Sequence, residues 1–416
     1  MELKIVPSKC VYVKHHEQLI KSGLFGASLV SVLLMTPAAF AQTDAERISA
    51  LEKEVSEITT GMANRNRDGL PLRGFLDIGF ASNNYEDVAV KLHGFHVGSL
   101  DFYLTPQFSD NVKGLIELVF EVDAHGTVVT DFERAQVGYT FSDALTLWGG
   151  RFHTPYGYWN TAFHNGAQIQ TSVLRPRFLA FGDKGGVLPS HMVGLWAAGK
   201  TGAGEGKITY DAFAGNGPKL VNVTGPGTGA MDSNMAGDNN HNPMVGLNVG
   251  YEFSGDLDGL RLAVHGFQGT VDAYNPGEVL ANSTGLNMLG GSAVYMGGDW
   301  EVMGEYYRFN NRDKSGTTTT PGGLHKSWAG YLQAGRQLNN LTPFVRLERA
   351  VLNQEDNYFG DQETARAYSR EAVGLSYSLN QKTALKFELT SSKFEADPVR
   401  GAGSFNSIFA QYAIRF

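Results

Sequence analysis

The sequence is poor in cysteine, in charged residues and in long apolar runs. Its only cysteine is Cys10, which excludes an intramolecular disulfide, a cysteine-based metal site and a c-type haem attachment. Charged residues make up 18% of the chain, and acidic residues outnumber basic ones by 42 to 34, so the basic surface of a nucleic-acid-binding protein is not expected. No apolar run reaches the roughly 20 residues of a membrane-spanning helix, which excludes a polytopic helical membrane protein.

Apolar, aromatic and glycine residues are nevertheless abundant. Hydrophobic residues make up 42% and aromatic residues 11% of the 416 residues, so a disordered chain is not expected. Glycine accounts for 51 residues, well above its usual share of about 7%. A membrane β-barrel combines these properties, because its strands alternate lipid-facing apolar residues with polar ones and the average composition hides the apolar face.

The first 41 residues have the organisation of a secretory signal peptide. Four lysines precede an apolar run from Gly23 to Met35, and small residues flank Phe40 before the predicted cleavage site after Ala41. An uncleaved membrane anchor is the alternative, but the run has 13 residues and is short for a bilayer core of about 30 Å. Cleavage would remove Cys10 and leave no cysteine in the mature chain.

Residues 42–70 are predicted to form a short periplasmic helical segment followed by a linker. Apolar residues recur at spacings of three and four, as on one seam of a coiled coil: Ile48, Leu51, Val55 and Ile58. Two heptads are too short for a stable isolated helix. The segment is therefore interpreted either as a loosely ordered spacer or as a short coiled coil between protomers.

Apolar residues recur at every second position across the barrel region, 71–416, which is the period of a β-strand. Leu385 and Leu389, for example, share one face, with Lys386 and Glu388 on the other. Each strand has about the length that a tilted strand needs to cross a bilayer. The predicted strands are 73–82, 95–106, 112–121, 131–141, 144–152, 190–199, 206–215, 244–254, 258–269, 288–297, 299–309, 326–337, 340–350, 367–379, 382–391 and 404–416.

The connections alternate in length, which favours an all-β, sixteen-stranded antiparallel transmembrane β-barrel. Short turns such as 142–143 and 380–381 alternate with long connections such as 216–243, 270–287 and 310–325, the usual arrangement of an outer-membrane barrel. A secreted β-sandwich or propeller is the alternative, but the sequence shows no equal repeats. A sheet in lipid cannot leave an edge unpaired, so strand 73–82 is expected to pair with strand 404–416.

A barrel of sixteen strands is wide enough to hold water, so charged residues on its inner face are expected. The alternation places residues of both signs there. The lumen-wall candidates are Glu117, Arg134, Arg261, Arg370, Lys386 and Arg415.

The third long connection, 153–189, is the longest and carries many aromatic residues, so we expect it to fold into the barrel and narrow it. It is also locally basic. The candidates for the constriction and for anion binding are Arg151, His153, His164, Arg175, Arg177 and Lys184. A narrow, low-dielectric passage concentrates the field of such charges and would favour anions. Alternatively, Arg175 and Arg177 pair with wall carboxylates such as Glu117 or Glu121 and only hold the loop.

The stretch GGRFHTPYGYWN (149–160) resembles the phosphate-selective porins O and P, in which a strand ends in Gly-Arg/Lys-Phe and continues into a Thr-Pro-aromatic-Gly loop. The resemblance extends over roughly residues 70–416. It implies a water-filled, sixteen-stranded, trimeric porin. Anion selectivity in that family rests on an arginine ladder and a lysine ring, whereas the inner face predicted here mixes acids and bases.

The sequence therefore predicts a porin of the bacterial outer membrane, with the N-terminal segment in the periplasm, that lets small hydrophilic solutes or inorganic anions diffuse passively. The expected partners are outer-membrane lipids and two further copies of the chain, without nucleic acid, metal or cofactor. One alternative is a non-conducting barrel that acts as a sheath or receptor for a partner protein. An enzyme is not expected, because Ser190 and His191 are adjacent on a strand and point to opposite faces, and no GxSxG motif is present.

Overall fold

The structure is a computed structural model that describes residues 72–83, 93–122, 126–163, 167–181, 185–233, 237–315 and 323–416. The predicted signal peptide and the predicted helical segment 42–70 lie outside these ranges. Within them, no helix has both the length and the apolar character needed to cross a membrane.

The described residues form one sheet of eighteen strands, two of which contain only three residues. The strands are β1 Leu72–Asn83, β2 His93–Leu104, β3 Val112–Val122, β4 Val128–Ser142, β5 Leu145–His153, β6 His191–Ala203, β7 Gly206–Gly215, β8 Lys219–Val221, β9 Ala230–Asp232, β10 Met244–Glu252, β11 Leu260–Asn275, β12 Val279–Gly297, β13 Trp300–Ser315, β14 Leu324–Arg336, β15 Leu341–Val351, β16 Tyr368–Asn380, β17 Thr383–Phe394 and β18 Gly403–Arg415. The short helices are α1 Trp159–Ala162 and α2 Asn357–Asp361, with single 3₁₀ turns at Arg177–Leu179 and Gly255–Leu257.

The sixteen longer strands close into an antiparallel barrel. Strand β1 pairs with β18 from Phe75 opposite Arg415 to Asn83 opposite Ser407. The backbone groups of Gly74 and Phe416 add two reciprocal hydrogen bonds of 3.1 and 3.0 Å. Strand β7 pairs with β10 across the small β8–β9 hairpin. The predicted closure between the first and last strands is confirmed, and it removes the unpaired edges that lipid does not tolerate.

The two faces of the barrel are opposite in character. On β15, Leu347 is 58% exposed on the outer face, whereas its neighbours Arg346 and Glu348 are buried on the inner face. On β11, Leu262 and Val264 are exposed and His265 is buried. This distribution of apolar and polar residues is the reverse of that in a water-soluble protein. It matches a barrel with apolar surroundings and a polar interior.

All sixteen predicted strands are confirmed, but the predicted loop 270–287 is largely wrong, and the predicted loop 310–325 is wrong at 310–315 and 324–325. Strand β11 continues to Asn275 and β12 begins at Val279, which leaves a three-residue turn, and β13 continues to Ser315. These extensions carry polar residues on both faces, as in the stretch VDAYN. Alternation marks a strand only where one face is apolar, so the extensions carry no pattern that would predict them.

Candidate functional site

The connection between β5 and β6, residues 154–190, lies against the inner face of the barrel, and we call it the constriction loop. Its aromatic residues Tyr156, Trp159 and Phe178 are almost fully buried. They pack edge-on against aromatic residues of the wall: the Phe178 and Tyr307 rings are 5.3 Å apart, and the Trp159 and Tyr331 rings are 5.7 Å apart. The aromatic character of the loop therefore serves packing within the barrel.

The Glu305 carboxylate on β13 anchors the start of α1. It accepts backbone N–H groups from Tyr158 at 2.7 Å and Trp159 at 2.8 Å. It also accepts the hydroxyl groups of Tyr307 and Tyr331, each at 2.8 Å. Four donors to one buried carboxylate compensate its desolvation, so Glu305 orients the start of the loop from within the wall.

A second anchor is centred on Arg346, whose side chain is fully buried. Its Nε donates to Glu348 Oε1 at 2.8 Å, and one Nη donates to Glu388 Oε1 at 3.1 Å. The other Nη donates to the Leu174 carbonyl of the loop at 2.9 Å and to Gln333 Oε1 at 3.1 Å. One guanidinium thus joins two wall carboxylates to the loop backbone.

The remaining oxygens of these two carboxylates bind loop amides. Glu348 Oε2 accepts the N–H of Arg177 at 2.7 Å, and Glu388 Oε2 accepts those of Val173 at 2.7 Å and Leu174 at 3.0 Å. Nearby, the Lys386 ammonium donates to loop carbonyl groups: those of Ala167, Gln170 and Ser172. The loop is therefore fixed mainly through its backbone.

A second connection, residues 352–367, also packs inward and supports the constriction loop. Every residue of α2 is buried. The Tyr358 hydroxyl donates to the Val187 carbonyl at 2.6 Å, and the Thr364 hydroxyl donates to that of Gly186 at 3.0 Å. Gly229, beside the β8–β9 hairpin, exchanges backbone hydrogen bonds with residues 361–363. Three connections therefore interlock on the inner side of the sheet.

Arg175 and Arg177 lie within this packing. Arg175 Nε donates to the Leu179 carbonyl at 2.9 Å, and its guanidinium carbon is 4.5 Å from the centre of the Phe181 ring. Burial lowers the pKa of Arg175 to about 10, which leaves it charged at neutral pH. The Arg177 guanidinium carbon lies 4.9 Å from the Phe394 ring, and one Nη donates to a backbone carbonyl of 352–367 at 3.4 Å. These contacts are consistent with guanidinium groups that hold the loop, but the partners are backbone carbonyl groups and aromatic rings and not the predicted carboxylates Glu117 and Glu121.

Arg151 and His153 end strand β5. Arg151 Nε donates to the Glu133 carbonyl at 2.9 Å, and one Nη donates to the Ser233 carbonyl at 3.3 Å. His153 Nε2 lies 3.6 Å from Glu117 Oε2. The other two predicted constriction residues, His164 and Lys184, lie outside the described residues.

The predicted wall residues occur on several strands. Arg134 contacts Glu117 through Nε. Arg370 Nε donates to Ser392 Oγ at 2.9 Å, and the Arg261 guanidinium carbon is 5.7 Å from the Tyr158 ring of the loop. Arg415 is exposed at the short-turn end and donates to the Gln381 carbonyl at 3.1 Å. Arg134, Arg370 and Arg415 thus each donate to an acceptor, and Arg261 lies beside an aromatic ring.

Sequence reasoning missed Glu133, Glu305, Arg346 and Glu388 as functional residues. Period-two alternation does place Arg346 inward beside Glu348, so that signal was present. Glu133 is hidden by a β-bulge: Glu117 pairs with Arg134, but Leu118 pairs with Phe132. The bulge lets Glu133 and Arg134 both reach inner-wall partners, because an extra residue breaks the strict alternation of faces.

The described residues contain no group of three or more His, Cys, Asp or Glu side chains that could hold a metal ion. The arrangement instead offers fixed charges and hydrogen-bonding groups of both signs along a barrel wall, and such groups can bind and guide polar solutes.

The fold is similar to that of solved outer-membrane barrels. OmpT of Vibrio cholerae matches with a TM-score of 0.51 and 12% identity, over 83% of this chain and 97% of that chain. A loop L8 deletion mutant of the same protein gives 0.53, with 12% identity over 84% and 99%. Salmonella typhi OmpF, in a complex with daunomycin, gives 0.52, with 12% identity over 83% and 97%. The chain therefore has the fold of outer-membrane β-barrel proteins.

No protein-family model matches the sequence, and no curated protein matches it. The resemblance to the phosphate-selective porins therefore stays a prediction from the motif at 149–160.

The first prediction concerns the buried anchor. Arg346→Met should lower the free energy of unfolding by about 3–5 kcal/mol, because Glu348 and Glu388 would stay buried without their shared cation. Protease cleavage of the constriction loop should also become faster. Denaturant unfolding and limited proteolysis measure both effects. Arg349→Met is the matched control: its partner Glu395 is 3.3 Å away and both side chains are more than half exposed, so the loss should stay below about 1 kcal/mol. Equal losses would contradict the assignment.

The second prediction concerns pH. Burial raises the pKa of both Asp356 and Asp361 in the 352–367 connection to about 6. The folded state therefore binds these protons more tightly than the unfolded chain, and the stability they contribute is lost as the pH rises through about 6. Amide exchange at 356–363, corrected for its intrinsic pH dependence, should be about tenfold more protected at about pH 5 than at about pH 7.5 for each carboxyl.

Asp356→Asn should remove its part of that dependence, and Asp258→Asn, in an exposed turn, should not. Asp313 and His325 face Asp356, so His325→Gln tests whether the histidine carries the effect instead. Unchanged pH dependence in Asp356→Asn would rule out this carboxyl as the source.

Proposed function

We propose that this protein is a porin of the bacterial outer membrane, a water-filled channel through which small hydrophilic solutes or ions diffuse passively. The observation that carries the proposal is the closed sixteen-strand barrel with an apolar outer face and ionisable side chains on its inner face. Such charges are costly in a dry core but ordinary beside water. The signal peptide predicted from the sequence supports export to this membrane.

The position of the constriction loop supports a path on one side of the barrel. Its hydrogen bonds from Tyr158 to Phe178 reach strands β13–β17, through residues such as Glu305 and Glu388. Glu117 and Arg134 lie on β3 and β4, away from those strands. The Arg134 side chain is 20% exposed. We place the ion path between the constriction loop and the wall formed by β1–β4.

An anion preference through a basic constriction loop is one expectation from the sequence. The contacts of Arg175 and Arg177 support a packing role, and Arg134 is balanced by Glu117. We therefore propose weak selectivity, set by wall charges of both signs. Phosphate specificity and a homotrimer remain predictions from the family resemblance. We propose no enzymatic activity, because the sequence has no GxSxG motif.

Planar-bilayer recording with the refolded, purified protein tests the function directly. Insertion should produce discrete steps of current with a nearly linear current–voltage relation, because an open aqueous path has no voltage-dependent barrier. A protein that is folded by circular dichroism but gives no conductance would overturn the proposal and favour the non-conducting sheath or receptor.

Selectivity gives a sharper test of the path. Arg134→Gln should move the reversal potential under a salt gradient toward the cation value, because it removes a positive charge and leaves Glu117 uncompensated. Arg177→Gln should reduce stability without such a shift, since its guanidinium is buried in the packing. Arg349→Gln, on the outer face, is the control and should change neither quantity. If only Arg177→Gln moves the potential, the path runs along the other side of the loop.

A further inference from the structure

The outer face of the barrel changes from apolar to basic along strand β14. An apolar stretch runs from Trp328 to Ala334 on the face of the exposed Leu332, and a cation bounds it at each end, Lys326 and Arg336. These two cations are ten residues apart, which is about 23 Å along the barrel axis at about 3.3 Å per residue and a tilt of about 45°. The apolar band of such a barrel is about 25 Å tall, so Lys326 lies at the edge of the band, at the level of the lipid headgroups.

Three more exposed cations lie beside Lys326 on the neighbouring strand. Lys326 is directly opposite Asn310 of β13, and Arg308 and Arg312 are two residues to either side of Asn310. The Cα atoms of such diagonal neighbours are about 7–8 Å apart. Lys314 follows Arg312 on the same face. We call these exposed residues the basic cluster: Arg308, Arg312, Lys314 and Lys326.

Within the described strands β12–β14, no carboxylate shares the face of the basic cluster. The acidic side chains of these strands alternate onto the inner face: Glu301, Glu305 and Asp313. On β11, Asp272 is buried and accepts the Ser283 hydroxyl at 2.6 Å. Among the described residues, the cluster forms no ion pair, and Lys314 donates to the Thr270 hydroxyl instead. Neighbouring like charges on a sheet repel one another, so the cluster favours an anion from outside the chain.

A cavity of about 520 Å³ opens on the outer face beside the cluster. Arg312 and Lys314 line it, together with polar side chains of β11–β13: Gln268, Thr270, Asn287 and Asn310. Gly285 also lines it, and a Cβ atom there would make only an ordinary contact, 3.4 Å from Lys314 Cε, so side chains leave this position open. The cavity therefore has room for a phosphate group, whose oxygens accept hydrogen bonds from guanidinium, ammonium and amide groups.

We propose that the basic cluster and this cavity bind the phosphate headgroup of an anionic membrane lipid. The apolar band begins in the adjoining row: Leu289, next to Arg308, is 63% exposed, and the Tyr306 and Trp328 rings stack 5.9 Å apart on the same face. A lipid can place its phosphate against the cations and its acyl chains along these residues, whereas a dissolved anion would use only the cations. The proposal needs the barrel to lie in a membrane, as the proposed function does, but it does not need the barrel to conduct.

Native mass spectrometry of the purified, detergent-solubilised protein tests the site with three probes. These are dioleoylphosphatidylglycerol, which is anionic, dioleoylphosphatidylcholine, which has the same chains and no net charge, and inorganic phosphate. The anionic lipid should bind at least about fivefold more tightly than the neutral one, and a large excess of inorganic phosphate should not displace it. Equal affinities for the two lipids would overturn the proposal. Displacement by inorganic phosphate would overturn the lipid as the ligand.

Substitutions in the cluster locate the binding. Arg312→Gln and Lys326→Gln should each raise the Kd for the anionic lipid about fivefold or more, which is the contribution of one basic residue near an anionic lipid, and leave the Kd for the neutral lipid unchanged. Arg349→Gln is the matched control, because Arg349 is also an exposed cation of the outer face but lies 3.3 Å from Glu395. It should bind both lipids as the wild type does.

Both cluster residues are exposed, so the variants should fold, which circular dichroism verifies. Unchanged affinity for the anionic lipid in both cluster variants, or an equal loss in Arg349→Gln, would overturn the site. Conductance without lipid selectivity would overturn the lipid site and leave the porin function intact. Lipid selectivity that the cluster variants remove, in a protein that does not conduct, would support the lipid site and overturn the porin function.

Discussion

The pairing of every backbone amide in the sheet is the constraint on which the rest of this structure depends. In a hydrocarbon environment an unpaired N–H or C=O group costs several kcal/mol, so the strand that begins at Leu72 must meet the strand that ends at Arg415. Closure creates an inside and an outside. The chain can then present Leu347 outward and keep Arg346 and Glu348 inside within a single strand.

The buried charges that anchor the constriction loop likewise have hydrogen-bond or ion-pair partners. Glu305, Glu348 and Glu388 each accept backbone amides of the constriction loop, and Arg346 neutralises two of them. Removal of one member of this cluster would leave a buried charge without its partner. The members therefore stabilise one another.

The sequence was sufficient to predict the sixteen strands of the barrel, their order and their closure, but not the short β8–β9 hairpin, because lipid imposes a period of two only where a strand has an apolar face. Alternation also predicts Arg134, Arg261 and Lys386 on the inner face, and in the structure these residues contact Glu117, the Tyr158 ring and loop carbonyl groups, respectively. It could not predict the partners of Arg175 and Arg177, since a charged side chain on a long loop takes its neighbours from tertiary packing. The bulge at Glu133 could not be predicted from the sequence either, because one inserted residue does not change the residue pattern of the strand in a recognisable way.

The hairpin of β11 and β12 has a consequence for how a solute meets the molecule. Strand β12 contains nineteen residues, which at about 3.3 Å per residue and a tilt of about 45° rise roughly 44 Å, against a hydrocarbon core of about 30 Å. The β11–β12 hairpin therefore extends beyond the hydrocarbon core. A molecule that diffuses along the headgroup layer meets this hairpin before it reaches the barrel opening, so its direction of approach is restricted before any charge in the lumen acts on it.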